Sequence, residues 1–214
     1  MIRFIHASDL HLGRPFGTYP EDVRVRLRRA RQESIGRIAD AAREGGASHI
    51  LLAGDTFDAE TPQPTTIRHA LNAMADDPAL TWVLMPGNHD SLAATELWRV
   101  LVNDRPPNVL VAATAKPMDL GEAVLLPAPC TVRHPGRDLT EWMEAAETGN
   151  AIRIGLAHGG VQDFRSQENQ SENGGSAVIP PDRAASASLD YLGLGDWHGR
   201  IKIGPNTSNC LKLD

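Results

Sequence analysis

The chain has 214 residues, 41% hydrophobic, 22% charged and 5% aromatic, with 21 basic against 27 acidic side chains and a formal net charge of −6. An ordinary charged fraction with recurring apolar segments excludes wholesale disorder, and no apolar run approaches the roughly 18–20 residues of a membrane span. The acidic balance argues against a surface that is basic all over, leaves room for a local basic patch, and suits a protein that collects cations.

The first predicted strand, residues 2–7, lies in MIRFIHASDL, whose apolar stretch is too short for a signal peptide and lacks a small-residue cleavage site. A helix follows over 21–44, where Val23, Leu27, Ala30, Ser34, Ile38 and Ala42 recur at three-to-four spacing and Gly45-Gly46 ends the run. Strands over 48–53 and 81–85 flank a helix over 65–75, and a helix over 95–102 precedes strands over 108–112 and 123–126. Asp138 is the expected N-cap of a helix over 139–146. Strands over 151–157 and 189–194 come next, with a short one over 201–203. Residues 159–188, rich in Gly, Ser, Asn and Gln, read as an irregular surface stretch near the site. Strand–helix alternation makes the chain α/β, and the strands over 108–126, with no helix between them, call for an antiparallel or mixed part of the sheet. Cys130 and Cys210 stand far apart, which suits free thiols in a cytoplasmic protein better than a disulfide scaffold.

The strand ends share polar residues able to bind metals. They run into Asp9-Leu10-His11, Gly54-Asp55-Thr56-Phe57-Asp58, Pro86-Gly87-Asn88-His89-Asp90, His158-Gly159-Gly160 and Gly195-Asp196-Trp197-His198. In an α/β sheet the carboxyl ends of the strands lie along one rim, where ligands bind. Carboxylate, imidazole and amide donors without thiolate suit Mn²⁺, Fe²⁺ or Mg²⁺, whereas a structural zinc more often recruits cysteine. Asp9, His11, Asp55, Asn88, His158, Asp196 and His198 are too many for one ion with an open position. They suit two ions sharing a carboxylate, and two ions roughly 3.5–4 Å apart can hold a bridging hydroxide for in-line displacement at phosphorus.

In their order, D-x-H, GD-x-x-D, GNHD, an isolated H and G-x-x-H, these segments resemble the motifs of the calcineurin-like metallophosphoesterases. HASDLHLG, LLAGDTFD followed by TPQP, and PGNHD are similar to the SbcD-like DNA-repair nucleases within that family. The resemblance implies a four-layer α/β/β/α sandwich of two mixed sheets flanked by helices. It implies that Asp9, His11 and His198 hold one metal, that Asn88 and His158 hold the other, and that Asp55 bridges them. His89 would contact the scissile phosphate or protonate the leaving oxygen. The family usually has G-H-x-H at the last motif, and here Asp196 stands at the first of those histidines. Its carboxylate favours hard ions, and being shorter it can reach the second metal directly or through water.

Each residue also has a structural reading. Asp9 and Asp55 alone could cap turns, the GNHD run could be a turn, and His158 could be a loop histidine. His6, His49, His69 and His134 read as packing or surface residues, with His6 nearest the site. Arg24, Arg28 and Arg31 share a helix face that reads as solvated, and Arg14 is the better phosphate contact. Trp197 either stacks on a base or packs under the site.

The expected function is dimetal-dependent phosphodiester hydrolysis by a DNA exonuclease or endonuclease of the SbcD-like type. Two divalent ions are expected, Mn²⁺ first, with Fe²⁺, Mg²⁺ or Zn²⁺ as alternatives. A small-molecule phosphodiesterase or phosphatase on the same fold, and a non-catalytic binding module with a degenerate metal site, stay open. One catalytic domain is expected over 1–214, acting on DNA or another phosphodiester, with no membrane partner. No capping domain and no tail for an ATPase partner of the SbcC type is expected, nor a strand over 206–214.

Overall fold

The computed structural model describes residues 2–162, 179–197, 199 and 202–203, together with the backbone of 207–209. β1 (Phe4–Ala7), β2 (His49–Ala53), β3 (Thr81–Met85) and β4 (Val109–Val111) form a four-stranded sheet in that order, with every pairing parallel. β5 (Met118–Asp119), β6 (Ala123–Ala128), β7 (Ile152–His158), β8 (Tyr191–Gly195) and β9 (Thr207–Asn209) form a five-stranded sheet. Its first pair is antiparallel and the rest are parallel. Among the described residues only the second sheet is therefore mixed, where two mixed sheets were expected. Helices occupy every link of the first sheet: α1 (Glu21–Gln32) and α2 (Ser34–Glu44), then α3 (Pro64–Ala75), then α4 (Thr95–Asp104). Such crossovers return the chain to the same end and keep strands parallel. The β5–β6 link is a tight turn at Gly121 (φ 80°), and it reverses the chain.

Alternation along the strands builds the layers. Ile50, Leu52, Trp82 and Leu84 pack against Ile35, Ile38, Leu71, Met74, Leu97 and Leu101 of the helices. The intervening Leu51, Ala53, Val83 and Met85 meet Ala123, Leu125, Ile154 and Leu156 of the second sheet. Leu126, Ala128, Leu192 and Leu194 face outward against Met143, Ala184 and Leu189. The period of two thus gives three apolar seams and four layers, as expected of this sandwich.

Several elements differ from the sequence reading. The helix over 21–44 is two helices meeting at Glu33, where Ser34 Oγ donates to the Arg31 carbonyl (2.6 Å), a back-bond that bends helices. Ser34, Ile38 and Ala42 are buried, but no residue of α1 is, so Val23, Leu27 and Ala30 do not serve the core. Only a 3-10 turn, Glu141–Ala145, forms where a helix over 139–146 was expected. It begins at Thr140, whose N–H donates to Asp138 Oδ1 (2.8 Å). The stretch 159–188 is not wholly irregular: Val161 bridges Ile179, and α5 (Arg183–Ser186) buries Arg183 between Asp138 and Glu144. The remainder of that stretch, 163–178, lies outside the described residues, as does part of the strand expected over 201–203. β9 lies within 206–214, where no strand was expected, and pairs with β8. Among the described residues no helix is long and apolar enough to cross a membrane.

Candidate metal centre

The carboxyl ends of β1, β2, β3, β7 and β8 bring their polar residues to one rim. The turn after β1 lies along the turn after β2: Asp9 N–H donates to Gly54 O (3.1 Å), His11 N–H to Asp55 O (2.9 Å) and Leu12 N–H to Thr56 O (2.9 Å). Asp9, His11, Asp55 and Asp196 all have positive φ (57°, 44°, 53° and 85°). Each such conformation costs on the order of 1–3 kcal/mol and persists only where the surroundings enforce it, commonly at functional sites. Gly87 permits the close approach of two of these turns, since a Cβ there would strike the Asp55 carboxylate and backbone nitrogen.

Two half-sites share one oxygen. His11 Nε2 lies 4.0 Å from Asp9 Oδ1 and 3.8 Å from Asp55 Oδ2. His158 Nε2 lies 3.5 Å from the same Asp55 Oδ2 and 3.9 Å from Asp196 Oδ1, which is 3.4 Å from Asn88 Nδ2. Asp196 N–H donates to Asp9 Oδ2 (3.2 Å), tying the halves together. Asp9, His11, Asp55, Asn88, His158 and Asp196 therefore converge, whereas His198 lies outside the described residues.

The rings are oriented from behind. His158 Nδ1 sits 2.7 Å from Ala53 O and His89 Nδ1 3.0 Å from Asp58 O, both carbonyls that require an N–H. His11 Nδ1 lies 3.2 Å from Asp58 Oδ1. This is how metal-binding imidazoles are commonly held, with the outer nitrogen fixed and Nε2 turned inward. His89 also meets His11 edge-on, with centroids 4.9 Å apart, and its N–H donates to Asp55 Oδ1 (2.9 Å).

The donor set fits divalent cations. Asp9, Asp55 and His158 are buried, and Asn88 Oδ1 and His158 Nε2 have no hydrogen-bond partner among the described residues. Burial pushes the Asp55 carboxyl up, but the His158 charge, the His89 N–H and His11 outweigh it and hold it at about 2. Burial opposes a charge on His158, yet the adjacent Asp55 carboxylate raises its pKa well above the usual imidazole value. Converging buried carboxylates call for added positive charge, and oxygen and imidazole donors suit octahedral ions. Cys130 offers no thiolate: burial pushes its thiol up to about 12, and Sγ donates to His158 O (3.6 Å).

Two residues of the quoted motifs have positions that chain order alone does not show. Asp90, fully buried, accepts from Gly87 N–H (2.7 Å), Phe57 N–H (3.0 Å) and Asp55 N–H (3.2 Å), and so clamps two turns; burial and the Asp55 charge push it up to about 7. Asp58 orients both His11 and His89. The final Asp of GD-x-x-D and of GNHD was the available signal. Arg31 is not on a solvated face, for it donates to Leu10 O (2.6 Å); Arg24 and Arg28 pair with Glu21 at the surface. Arg14 stands over the Phe16 ring, 5.9 Å from its centroid, and its backbone N–H donates to His11 O (3.2 Å). Trp197 is exposed beside Asp196 and does not pack beneath the site. His6 lies between the sheets, 3.0 Å from Tyr191 Oη, and not at the rim.

A family model described as calcineurin-like phosphoesterase matches residues 2–186. The chain is similar to an uncharacterized metallophosphoesterase, YhaO, of Bacillus subtilis (strain 168), at 26% identity over 211 residues, covering 93% of this chain and 49% of that protein. The chain thus spans about half the length of the curated relative it matches. A solved crystal structure aligns over 97% of this chain and 88% of its own with a TM-score of 0.51 at 9% identity, a likeness of fold alone.

Proposed function

The chain belongs to the calcineurin-like phosphoesterase family, and from that premise we propose that it is a two-metal phosphodiesterase acting on DNA, a nuclease of the SbcD-like kind. The observation that carries the two-metal reading is Asp55 Oδ2, set 3.8 Å from His11 Nε2 and 3.5 Å from His158 Nε2. Asp9, His11 and His198 would hold one ion, Asn88, His158 and Asp196 the other, and Asp55 would serve both. Two divalent ions, Mn²⁺ first, supply charge neutralisation at phosphorus and a nucleophile at neutral pH when bound. The chain itself supplies position and protons. The Asp58 carbonyl accepts from His89 Nδ1–H, so the neutral ring would present Nε2 to the substrate as an acceptor and would carry a proton for the leaving oxygen there only when doubly protonated. Asp90 holds the turns carrying Asp55 and Gly87 at fixed separation.

The preference for DNA over a small ester rests on HASDLHLG, LLAGDTFD and PGNHD, which are similar to the SbcD-like nucleases. Labelled single- and double-stranded DNA and bis(nitrophenyl) phosphate, each incubated with protein and Mn²⁺, test the reading. Release of nucleotides is expected. Turnover of the ester without any of DNA would favour a small-molecule enzyme. Fewer than one bound ion per chain after Mn²⁺ loading would favour a binding module.

A further inference from the structure

The loop from Gly13 to Pro20 carries a cluster that hydrolysis alone leaves unused. The Arg14 guanidinium lies 5.9 Å and that of Arg31 5.3 Å from the Phe16 ring centroid, and Tyr19 meets Phe16 edge-on at 6.3 Å. Two guanidinium groups on one ring repel each other, and that repulsion is relieved by an anion. The neighbouring arginines of α1 have one built in: Arg24 and Arg28 pair with Glu21, Arg26 with Asp22, and Arg29 with Glu33. The Arg14 guanidinium makes no hydrogen bond or ion pair among the described residues, and Arg31 spends an N–H on the Leu10 carbonyl. Neither guanidinium has a carboxylate within ion-pair distance among the described residues, and Asp58 acts on both only from farther away.

The cluster is joined to the rim. Arg14 N–H donates to His11 O (3.2 Å), and Asp58, which burial raises, feels the opposing charges of Arg14, His89 and Arg31. Phe16 is held at φ 55°, unusual for a bulky residue, and its carbonyl accepts Tyr19 N–H (3.1 Å). That turn leaves Tyr19 51% exposed.

We infer that this loop is a subsite for the nucleotide adjacent to the scissile bond, with Arg14 and Arg31 taking the neighbouring phosphate and Tyr19 stacking on its base. Guanidinium groups match phosphate oxygens in paired hydrogen bonds, and an aromatic ring stacks on any base without sequence preference. The subsite rests on the nuclease reading above and adds that the chain takes single-stranded DNA through a flanking nucleotide.

Binding of a fluorescent thymidine oligonucleotide, followed by anisotropy in chelator, tests the subsite without turnover. Arg14→Gln is expected to weaken binding about tenfold and lower the salt slope by about one. Tyr19→Ala should weaken it by about tenfold as well, with Tyr19→Phe restoring wild-type affinity because the ring remains. In Mn²⁺, the ratio of kcat/KM for the oligonucleotide to that for bis(nitrophenyl) phosphate should fall in both weakened variants. Thermal melts establish that the variants fold. Wild-type binding by Arg14→Gln and Tyr19→Ala, or no binding by the wild-type protein, overturns the subsite. If DNA is cleaved and the variants are unaffected, the subsite alone falls. If the variants weaken binding but no phosphodiester is cleaved, the nuclease reading and the flanking subsite both fall, and the loop is left as a single-stranded DNA contact alone.

Discussion

Gly87→Ala is the sharpest test of how closely the turns at the rim are packed. Only a methyl group is added, and the backbone there does not require glycine, so the effect is steric. The new Cβ would lie 2.9 Å from Asp55 Cγ and closer still to Asp55 Oδ1 and N, against the 3.4–4 Å of ordinary contact. Asp55 must therefore shift, and it carries the oxygen common to both half-sites. Overpacking of this kind costs about 1–3 kcal/mol. The smaller conformational freedom of alanine in the unfolded chain returns about 0.4–1 kcal/mol, for a net loss of about 0–2.6 kcal/mol. Activity should fall further, since misplacing a reacting group by about 1 Å can cost about a hundredfold. Gly36→Ala is the matched control: a Cβ there meets nothing within 4 Å on the exposed face of α2, and it should stabilise by about 0.5–1 kcal/mol. Urea unfolding in chelator, bound Mn²⁺ and hydrolysis of bis(nitrophenyl) phosphate would be measured on both. A Gly87→Ala protein as stable as Gly36→Ala, with full metal content and rate, would refute the reasoning.

His6 gives a pH dependence. Burial holds it at about 4 against 6.5 unfolded, so the unfolded chain takes the proton first; stability is complete above 6.5 and is lost as pH falls toward 4. Between pH 7.5 and 5 this residue should remove about 2 kcal/mol, and His6→Gln should show a correspondingly shallower slope in urea midpoints. Cys130, buried with its thiol pushed up to about 12, should resist iodoacetamide in the native protein and react in denaturant, as peptide mass spectrometry would show. Mn²⁺ at a hundred times its Kd should raise unfolding free energy by about 2.7 kcal/mol per site. Asp55→Asn should abolish most of that gain in a calorimetric melt, and an unchanged gain would remove Asp55 from the site.

The motif residues were legible because strand ends in α/β sheets have a fixed destination. Asp9, Asp55, Asn88 and Asp196 each closely follow a strand, and that alone assigns them to one rim. Asp58 and Asp90 were visible as letters but not as partners, because what they hold lies on other turns. Arg31 misled for the same reason: spacing along a helix shows a shared face, and only the fold shows Leu10 O beside it. The break at Glu33 was hidden by a periodicity that runs through it. β9 was hidden because three residues carry too little pattern to register as a strand.

The division of the half-sites between the sheets has a thermodynamic consequence. Asp9, His11, Asp55 and Asn88 follow strands of the parallel sheet, whereas His158 and Asp196 come from β7 and the turn after β8. Without ions, an apolar seam and a few hydrogen bonds join the two sheets, and each can open at its own free energy. Ions drawing ligands from both sides would make the seam a shared liability, because neither sheet could detach without releasing them. Hydrogen exchange should therefore report two opening units in chelator and one in Mn²⁺, so that metal content sets the size of the cooperative unit.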